Sequence, residues 1–434
     1  MARLSLDLVV PITAAAAADA ERFGPKAANL ARLGHAGLPI PDGFCIDAEA
    51  YRLQIAAAGL EDQARRVTSP DPREARCAAL AMKLGLLDGS IMPDLLEALL
   101  AARRVLVAHA AAPIVVRSSA LVEDRFGTSF AGQFESYLGL ETEDEFVTAV
   151  QSCWAALWAT RVLRYMATHD ANPADTAMAV LIQPLIAARV SGGGLSASAD
   201  GGIVITATSG LGSALAQGEV VPDRFVLSRN GVLRHTTAGR VAHRVGCAHG
   251  AQAATLASTG EPCLTETQAV ELGTLLRKAE EVMGMPVEIE WTRDDAGFKL
   301  LQVRPLLLEA ADECAPTSDA IWLQHPRLNG HPAGVGRGAG RACVVNCECE
   351  LSRVAPGDVL VTRVAGPSLS QILPRVAGVV AELGGSTSHL ASLARERGIP
   401  AVLGVLDATQ RIPDGVEIAV DGVAGVVRWM PRNL

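Results

Sequence analysis

The alternation of apolar and polar positions divides the chain into three regions. Over residues 1 to about 185 helical and strand patterns mix. Helical spacing predicts helices over 26–36, 88–108 and 144–168, the last with Phe146, Val150, Trp154, Leu157 and Trp158 on one face. From about Ala177 the pattern changes to short strands and glycine turns: MAVLIQPLI, SGGG among the turns, GIVITATSG, and FVLSRNGVL, which predicts a hairpin. A helix over 265–283 precedes a final strand pair. The stretch LLEAADECAPTSDA, near residues 307–320, has no sustained periodicity and reads as a linker. From Trp322 strands and helices alternate with turns such as VAPGD and IPDG, as in a small α/β domain. The expected fold is therefore α/β and multidomain, divided at 1–185, 186–306, 307–321 and 322–434.

Composition narrows the class. A chain of 434 residues exceeds one ordinary core, and 49% apolar with 20% charged residues describes a globular protein. An aromatic share of 4% leaves few stacking platforms for bases, and a net charge of −9 argues against nucleic acid, while leaving room for a local basic pocket. The longest apolar stretches fall below the ~20 residues of a membrane span, so no membrane partner is expected. The opening MARLSLDLVVPITAAAAADAERF superficially suggests an export signal, but Asp7 and Pro11 interrupt it. No signal peptide is expected, and nine scattered cysteines fit reduced thiols in a cytoplasm. Alternation in VVNCECEL puts Cys347 and Cys349 on one face of a predicted strand. Without a CxxC pair beside Cys343, buried or half-buried thiols are expected there rather than a metal site.

The densest chemistry lies in GGSTSHLASLARERGIPAVLG, residues 384–404. After a Gly-Gly turn, His389 is placed at or near a helix N-terminus. Leu390, Leu393 and Ala394 share one face, Arg395, Glu396 and Arg397 mark the wet end, and Gly398 and Pro400 stop the helix. The backbone N–H groups and helix dipole at that end favour an anion on the ring and keep the imidazole neutral and nucleophilic. A simple helix-capping histidine is the plainer reading of Ser-x-His alone. The run as a whole resembles the phosphohistidine signature of the phosphoenolpyruvate-utilising enzymes (phosphoenolpyruvate synthase, pyruvate phosphate dikinase, rifampin phosphotransferase).

Three further segments carry anion-binding chemistry. In FGPKAANLARLGHAGLPIPDGFCI, Lys26 follows a Gly-Pro turn at a helix start, where it could meet a phosphate or simply be solvated. In RSSALVEDRFGTSFAGQ, Arg117 leaves the end of the apolar run Pro113 to Val116, a costly place for a guanidinium without an anion. That anion is a polyphosphate approached by the small residues ending at Gly132, or a structural partner in Glu123 or Asp124. In VEIEWTRDDAGFKLLQVRP, pairing about residue 296 sets Glu290 opposite Gln302 and Glu288 opposite Arg304. Val287, Ile289, Trp291, Leu301 and Val303 then point to the other side. Glu290 and Gln302 would supply oxygen ligands to magnesium and Arg304 a fork for phosphate, or the four would form a solvated face with one salt bridge.

In this order the segments resemble the ATP-grasp domain of the same family, and the resemblance covers nearly the whole chain. It implies ATP and Mg2+ as cofactors and Lys26, Arg117, Gly132, Ser136, Gln183, Glu290, Gln302 and Arg304 as nucleotide contacts. Glu290 and Gln302 would also bind metal, and Gln183 would lie beside adenine. Ser213 stands where the family usually has a glutamate, which touches metal binding or rate. GHPAGVGRGAGRACVV and the stretch before His389 resemble the family's swivelling phosphohistidine domain, with Leu390 and Ser392 replacing commoner small and aliphatic neighbours. Those two changes are expected to alter packing more than chemistry. The ~14-residue linker could stretch to roughly 46–50 Å. The resemblance implies a phosphotransferase that splits ATP to AMP and phosphate and passes the β-phosphoryl group through His389 to a hydroxyl or enolate of a small molecule. Neither the family's pyruvate-binding barrel nor a helical acceptor domain is expected within these 434 residues, so a phosphocarrier handing phosphate to a separate acceptor subunit is the alternative. A ligase with a vestigial His389 is a further one.

Overall fold

The computed structural model describes residues 8–123, 130, 132–169, 171–242, 256–258, 260–306, 322, 324–363, 365–366, 369 and 371–431. The predicted linker at 307–321 and Asp124 lie outside the described residues. Two compact units form, Met1–Ala187 with Lys299–Arg304 and Ala188–Phe298 with Pro305–Leu434.

The first unit opens with β1 (Val9–Pro11), α1 (Ala20–His35) and β2 (Phe44–Ile46). Four helices follow: α2 (Ala48–Ala57), α3 (Glu61–Arg66), α4 (Pro72–Asp88) and α5 (Pro93–Ala110). Then come β3 (Ile114–Ala120), β4 (Ser136–Leu140), α6 (Glu143–Ala156), α7 (Thr160–Ala167) and β5 (Met178–Pro184). The strands order as β1-β2-β5-β3-β4 and are antiparallel throughout. Helix α1 is interrupted at Gly24, whose φ of 72° breaks it before Pro25, so its regular part matches the helix predicted from residue 26. The predicted helix 88–108 begins later, because Gly89 closes α4 and Pro93 sits in the first turn of α5. The predicted helix 144–168 is two helices. Leu157 and Trp158, both buried, fill the break and keep the apolar face continuous, so spacing alone ran through it. Arg117 was expected at a strand end, but β3 continues three residues beyond it.

The second unit begins with β6 (Val190–Leu195), β7 (Ile203–Ser209), α8 (Ser213–Ala216), β8 (Val220–Val221), β9 (Asp223–Leu227) and β10 (Leu233–Thr237). It continues through β11 (Arg240–Ala242), β12 (Leu256–Ser258), α9 (Glu266–Met283) and β13 (Val287–Asp294); of the next strand, β14 (Gly297–Pro305), residues Lys299–Arg304 belong to the first unit. The sheet order is β10-β9-β7-β6-β13-β14, with β12-β11-β8 as a small separate sheet. The hairpin expected from FVLSRNGVL is β9–β10. Helix α9 starts at a capping box on Thr265 and ends at Gly284 with φ 71°, close to the predicted 265–283. SGGG is not a turn. Gly192, Gly193 and Gly194 lie inside β6, and a Cβ on Gly192 would come 1.9 Å from the Thr206 carbonyl oxygen. The glycines are there for close approach rather than for bending.

The remaining strands are β15 (Arg327–Asn329), β16 (His331–Pro332), β17 (Arg337–Val345), β18 (Val359–Thr362), β19 (Gly378–Ala381), β20 (Ala401–Leu403), β21 (Glu417–Asp421) and β22 (Val426–Trp429). Helix α10 (His389–Glu396) lies between β19 and β20, and α11 (Ala408–Arg411) follows β20. The order is β15-β22-β21-β17-β18-β19-β20-β16, with β17 to β20 parallel, as an α/β region requires. Its core is small and aliphatic: Ala342, Val359, Val361, Val380, Val402, Ile418 and Val427 are fully buried. The strand predicted through VVNCECEL stops at Val345. Cys347 accepts a hydrogen bond from the Cys349 N–H at 3.4 Å as the chain turns into a short 3-10 helix, so the two thiols do not share a strand face.

Candidate active site

In the first unit the lysine turn is pinned against β3. A Cβ on Gly24 would meet the Ser119 carbonyl oxygen at 2.3 Å, so only glycine permits this approach. The Ser119 hydroxyl donates to the Phe23 carbonyl at 2.7 Å and accepts from the Ala27 N–H at 3.1 Å, closing the turn from both sides. Lys26, thus held, donates to the Ser118 carbonyl at 2.9 Å and pairs with Glu123 at 3.1 Å. Glu123 is buried, and burial pushes its carboxyl above the usual range, opposed by the charge and hydrogen bond of Lys26. Glu123, one of the alternative partners considered for Arg117, pairs with Lys26, while the Arg117 charge also favours its ionised form. Arg117 donates instead to the Leu301 carbonyl at 2.6 Å and to Gln302 Oε1 at 3.0 Å.

The other predicted residues of this unit lie on several elements. Gln183 is buried in β5 and donates to the Pro41 carbonyl at 3.3 Å. Gln302 and Arg304 are buried in β14. Gly132 lies in a turn with φ 68°, close to Phe130 at φ 49°, two left-handed residues near the end of the RSSALVEDRFGTSFAGQ segment. Ser136 opens β4 and is exposed. Lys26, Arg117 and Gln302 are thereby tied to β3, whereas Ser136 offers only a surface hydroxyl.

In the second unit His389 is the first residue of α10, as predicted, and is half-buried. Ser388 caps the helix, accepting from the Ala391 N–H at 3.4 Å. The turn before it touches both β8 and the β6–β13 sheet. The Gly384 N–H donates to the Val220 carbonyl at 3.0 Å. The Thr387 hydroxyl bonds that of Thr206, and a Cβ on Gly193 would stand 2.5 Å from the Thr387 Cβ. Gly193 is the Cα partner of Glu290 across β6–β13, and directly paired residues present their side chains to the same face. Thr387, two residues before His389, therefore covers the face of β13 that carries Glu290. Glu288, two residues earlier on that strand, shares the face and is met by Ser392 and Arg395 of α10.

Two expectations are corrected here. Arg395 is not part of a wet helix end but only 5% exposed, because its guanidinium meets the Glu288 carboxylate at 2.9 Å. The Glu288 face of β13 is likewise covered rather than solvated. Ser392, expected to alter packing more than chemistry, packs with its hydroxyl 3.1 Å from both Glu288 oxygens. Ser392 lies on the side of α10 away from Leu390, Leu393 and Ala394, so its local pattern carried no signal for this contact, and Thr387, Thr206 and Gly193 offered none. Ser213 starts the one-turn helix α8 and is exposed. Among the described residues no cluster of three or more metal-ligating side chains occurs, and no helix is long and apolar enough to cross a membrane.

Comparison with known proteins identifies the family. The family model described as pyruvate phosphate dikinase, AMP/ATP-binding domain, matches residues 20–321, and that of the PEP-utilising enzyme, mobile domain, matches residues 354–425. Phosphoenolpyruvate synthase of Aeropyrum pernix is 32% identical over 93% of this chain and 56% of its own length. That of Pyrococcus furiosus is 28% identical over 94% of the chain and 57% of its own length. The Escherichia coli enzyme of the same name is 28% identical over 96% and 56%. The chain thus spans about half the length of the curated relatives it matches. With both models matched in this order, the chain belongs to the pyruvate phosphate dikinase AMP/ATP-binding family and carries the PEP-utilising enzyme mobile domain behind it.

Proposed function

We propose that the protein is an ATP- and magnesium-dependent phosphotransferase that carries a phosphoryl group on His389. The observation that supports this most is the seat of the histidine: the first residue of α10, half-buried, its preceding turn covering the β13 face that bears Glu290. Lys26, Arg117 and Arg304 would neutralise phosphate charge, Gln183 would face adenine, and Gly132 and Ser136 would border the phosphates. Glu290 and Gln302 offer the hard oxygens magnesium prefers, and Gln302 Oε1, already turned to Arg117, retains a second lone pair. When bound, magnesium would screen the charge that develops on the transferred group. His389, neutral, attacks the β-phosphorus with a ring nitrogen and AMP leaves with the electron pair of the α–β bridge; water then cleaves the β–γ bond, phosphate departs, and a phosphoramidate remains. The helix N-terminus favours the dianion so formed. Discharge onto a hydroxyl or enolate oxygen of a small molecule restores the imidazole. The proposed course releases AMP and phosphate, with the β-phosphoryl group transferred. The proposed domains are those of the ATP-grasp and swivelling type at the boundaries 185, 306 and 321.

Rapid quench with β-labelled ATP tests this. Acid-labile, base-stable label mapping to His389 is expected, and it vanishes in His389→Ala while ATP still binds. Label on a serine or carboxylate, or ADP as the sole nucleotide product, would overturn the reading.

A further inference from the structure

Ser392, Arg395 and Glu288 form a buried polar cluster that holds α10 on β13. Each is 5–6% exposed. Arg395 is anchored from its own side: Nη1 donates to the Ser386 carbonyl at 2.7 Å and to the Ala333 carbonyl at 3.3 Å. Its Nη2 is turned to Glu288 Oε2 at 2.9 Å and to Ser392 Oγ at 3.2 Å. The Ser392 hydroxyl lies between Glu288 and the Ser388 carbonyl, the latter at 3.2 Å. The guanidinium therefore ties three things together: the turn that precedes His389, the helix that His389 begins, and a carboxylate two residues from Glu290.

The chemistry of this contact differs from a core. A buried ion pair stabilises little overall, because desolvation nearly cancels its attraction, but breaking one side is costly. Such a contact fixes position strongly while adding little net adhesion. If α10 leaves β13, Glu288 and Arg395 regain water, so separation exposes no large apolar face at this point. An apolar contact of equal size would hold the two surfaces together without setting their register.

We infer that Ser392 and Arg395, sharing Glu288 as acceptor, are positioning residues that form a reversible latch setting where His389 stands on β13. Its consequence for phosphoryl transfer rests on the function proposed above; the latch itself does not.

Two measurements on the full chain separate the two. Hydrogen exchange of the 384–397 segment without nucleotide reads the latch alone. Ser392→Ala and Glu288→Gln should each raise exchange there by about tenfold, and the double variant by less than the product of the two. Label incorporation from ATP reads the consequence. In Ser392→Ala the rate constant for phosphorylating His389 should fall by about tenfold with half-saturating ATP and melting temperature unchanged, and Ser392→Thr should restore it. Exchange unchanged within twofold in both variants would overturn the latch. Raised exchange with a normal phosphorylation rate would overturn its positioning role. Raised exchange in a protein whose parent forms no phosphohistidine would leave the latch standing and remove the proposed function.

Discussion

Two buried glutamates, each paired with a cation, solve different problems. Glu123 meets Lys26 inside the first unit, where the Gly24 turn and Ser119 clamp the lysine to β3 and the Glu123 N–H is bonded to the Ala120 carbonyl at that strand's end. Glu288 meets Arg395 in the second unit, where the carboxylate belongs to one sheet and the guanidinium to a helix beside another. In the first case the backbone already fixes the partners, and the pair mainly holds a lysine ready. In the second the pair itself does much of the fixing. The lesson is that burial and distance alone, 3% exposure at 3.1 Å against 5% at 2.9 Å, do not distinguish an ion pair that decorates a fold from one that sets a register.

The sharpest way to break the comparison is to remove the cation whose carboxylate lies on a different sheet. Arg395→Met leaves Glu288 buried and deprives the Ser386 carbonyl of its donor, so a loss of about 3–5 kcal/mol in the second unit's unfolding free energy is expected. Denaturant titration of the variant, followed by the fluorescence of the buried Trp291, would show it; a loss below 1 kcal/mol would make the two pairs alike.

A buried base with no counter-charge offers an intermediate case. His331 of β16 is buried beside the Gly384–Gly385 turn, its Nδ1 without a hydrogen-bond partner. Burial, with help from the Arg224 guanidinium, lowers its pKa to about 4. The unfolded chain, with an ordinary value of about 6.5, binds that proton more readily. Between the two values the unfolded state therefore holds more protons, and stability falls as pH drops. This contribution is complete above pH 6.5 and about 3 kcal/mol of it is gone by pH 4. His331→Phe should flatten that acid limb by the same amount, measured as the difference between pH 7 and pH 4; identical limbs would exclude His331 as its source.

The smallest effect is expected at Glu123. Because burial already pushes its carboxyl up, the ionised form is costly, and Glu123→Gln keeps an acceptor near Lys26 without that cost. Lys26 also retains the Ser118 carbonyl. Thermal unfolding should shift by less than about 1 kcal/mol. A loss above 2 kcal/mol would mean that this pair, too, holds its surroundings in place.

Legibility from sequence followed the same divide. The start of the lysine helix and that of α10 could be read because Gly-Pro and Gly-Gly-Ser-Thr-Ser act locally, through backbone conformation and capping. The α9 capping box and the β9–β10 hairpin are local in the same sense. What could not be read depended on distant neighbours. The glycines of β6 look like a turn until Thr206, Trp291 and Thr387 are seen to occupy the space their side chains would need. Arg395 looks like a solvated helix end until Glu288 is placed beside it. The break between α6 and α7 is hidden for the opposite reason, since Leu157 and Trp158 continue the buried face that spacing detects.

Gly193 has a consequence beyond its own strand. Most positions along a sheet raise a side chain, and a visiting loop must find its way among them. At Gly193 the surface drops to bare backbone, and Thr387 comes down into that notch. A missing side chain here works as an address: it marks one landing point on a repetitive surface, and a single added methyl would act as a shim under the turn that leads to His389.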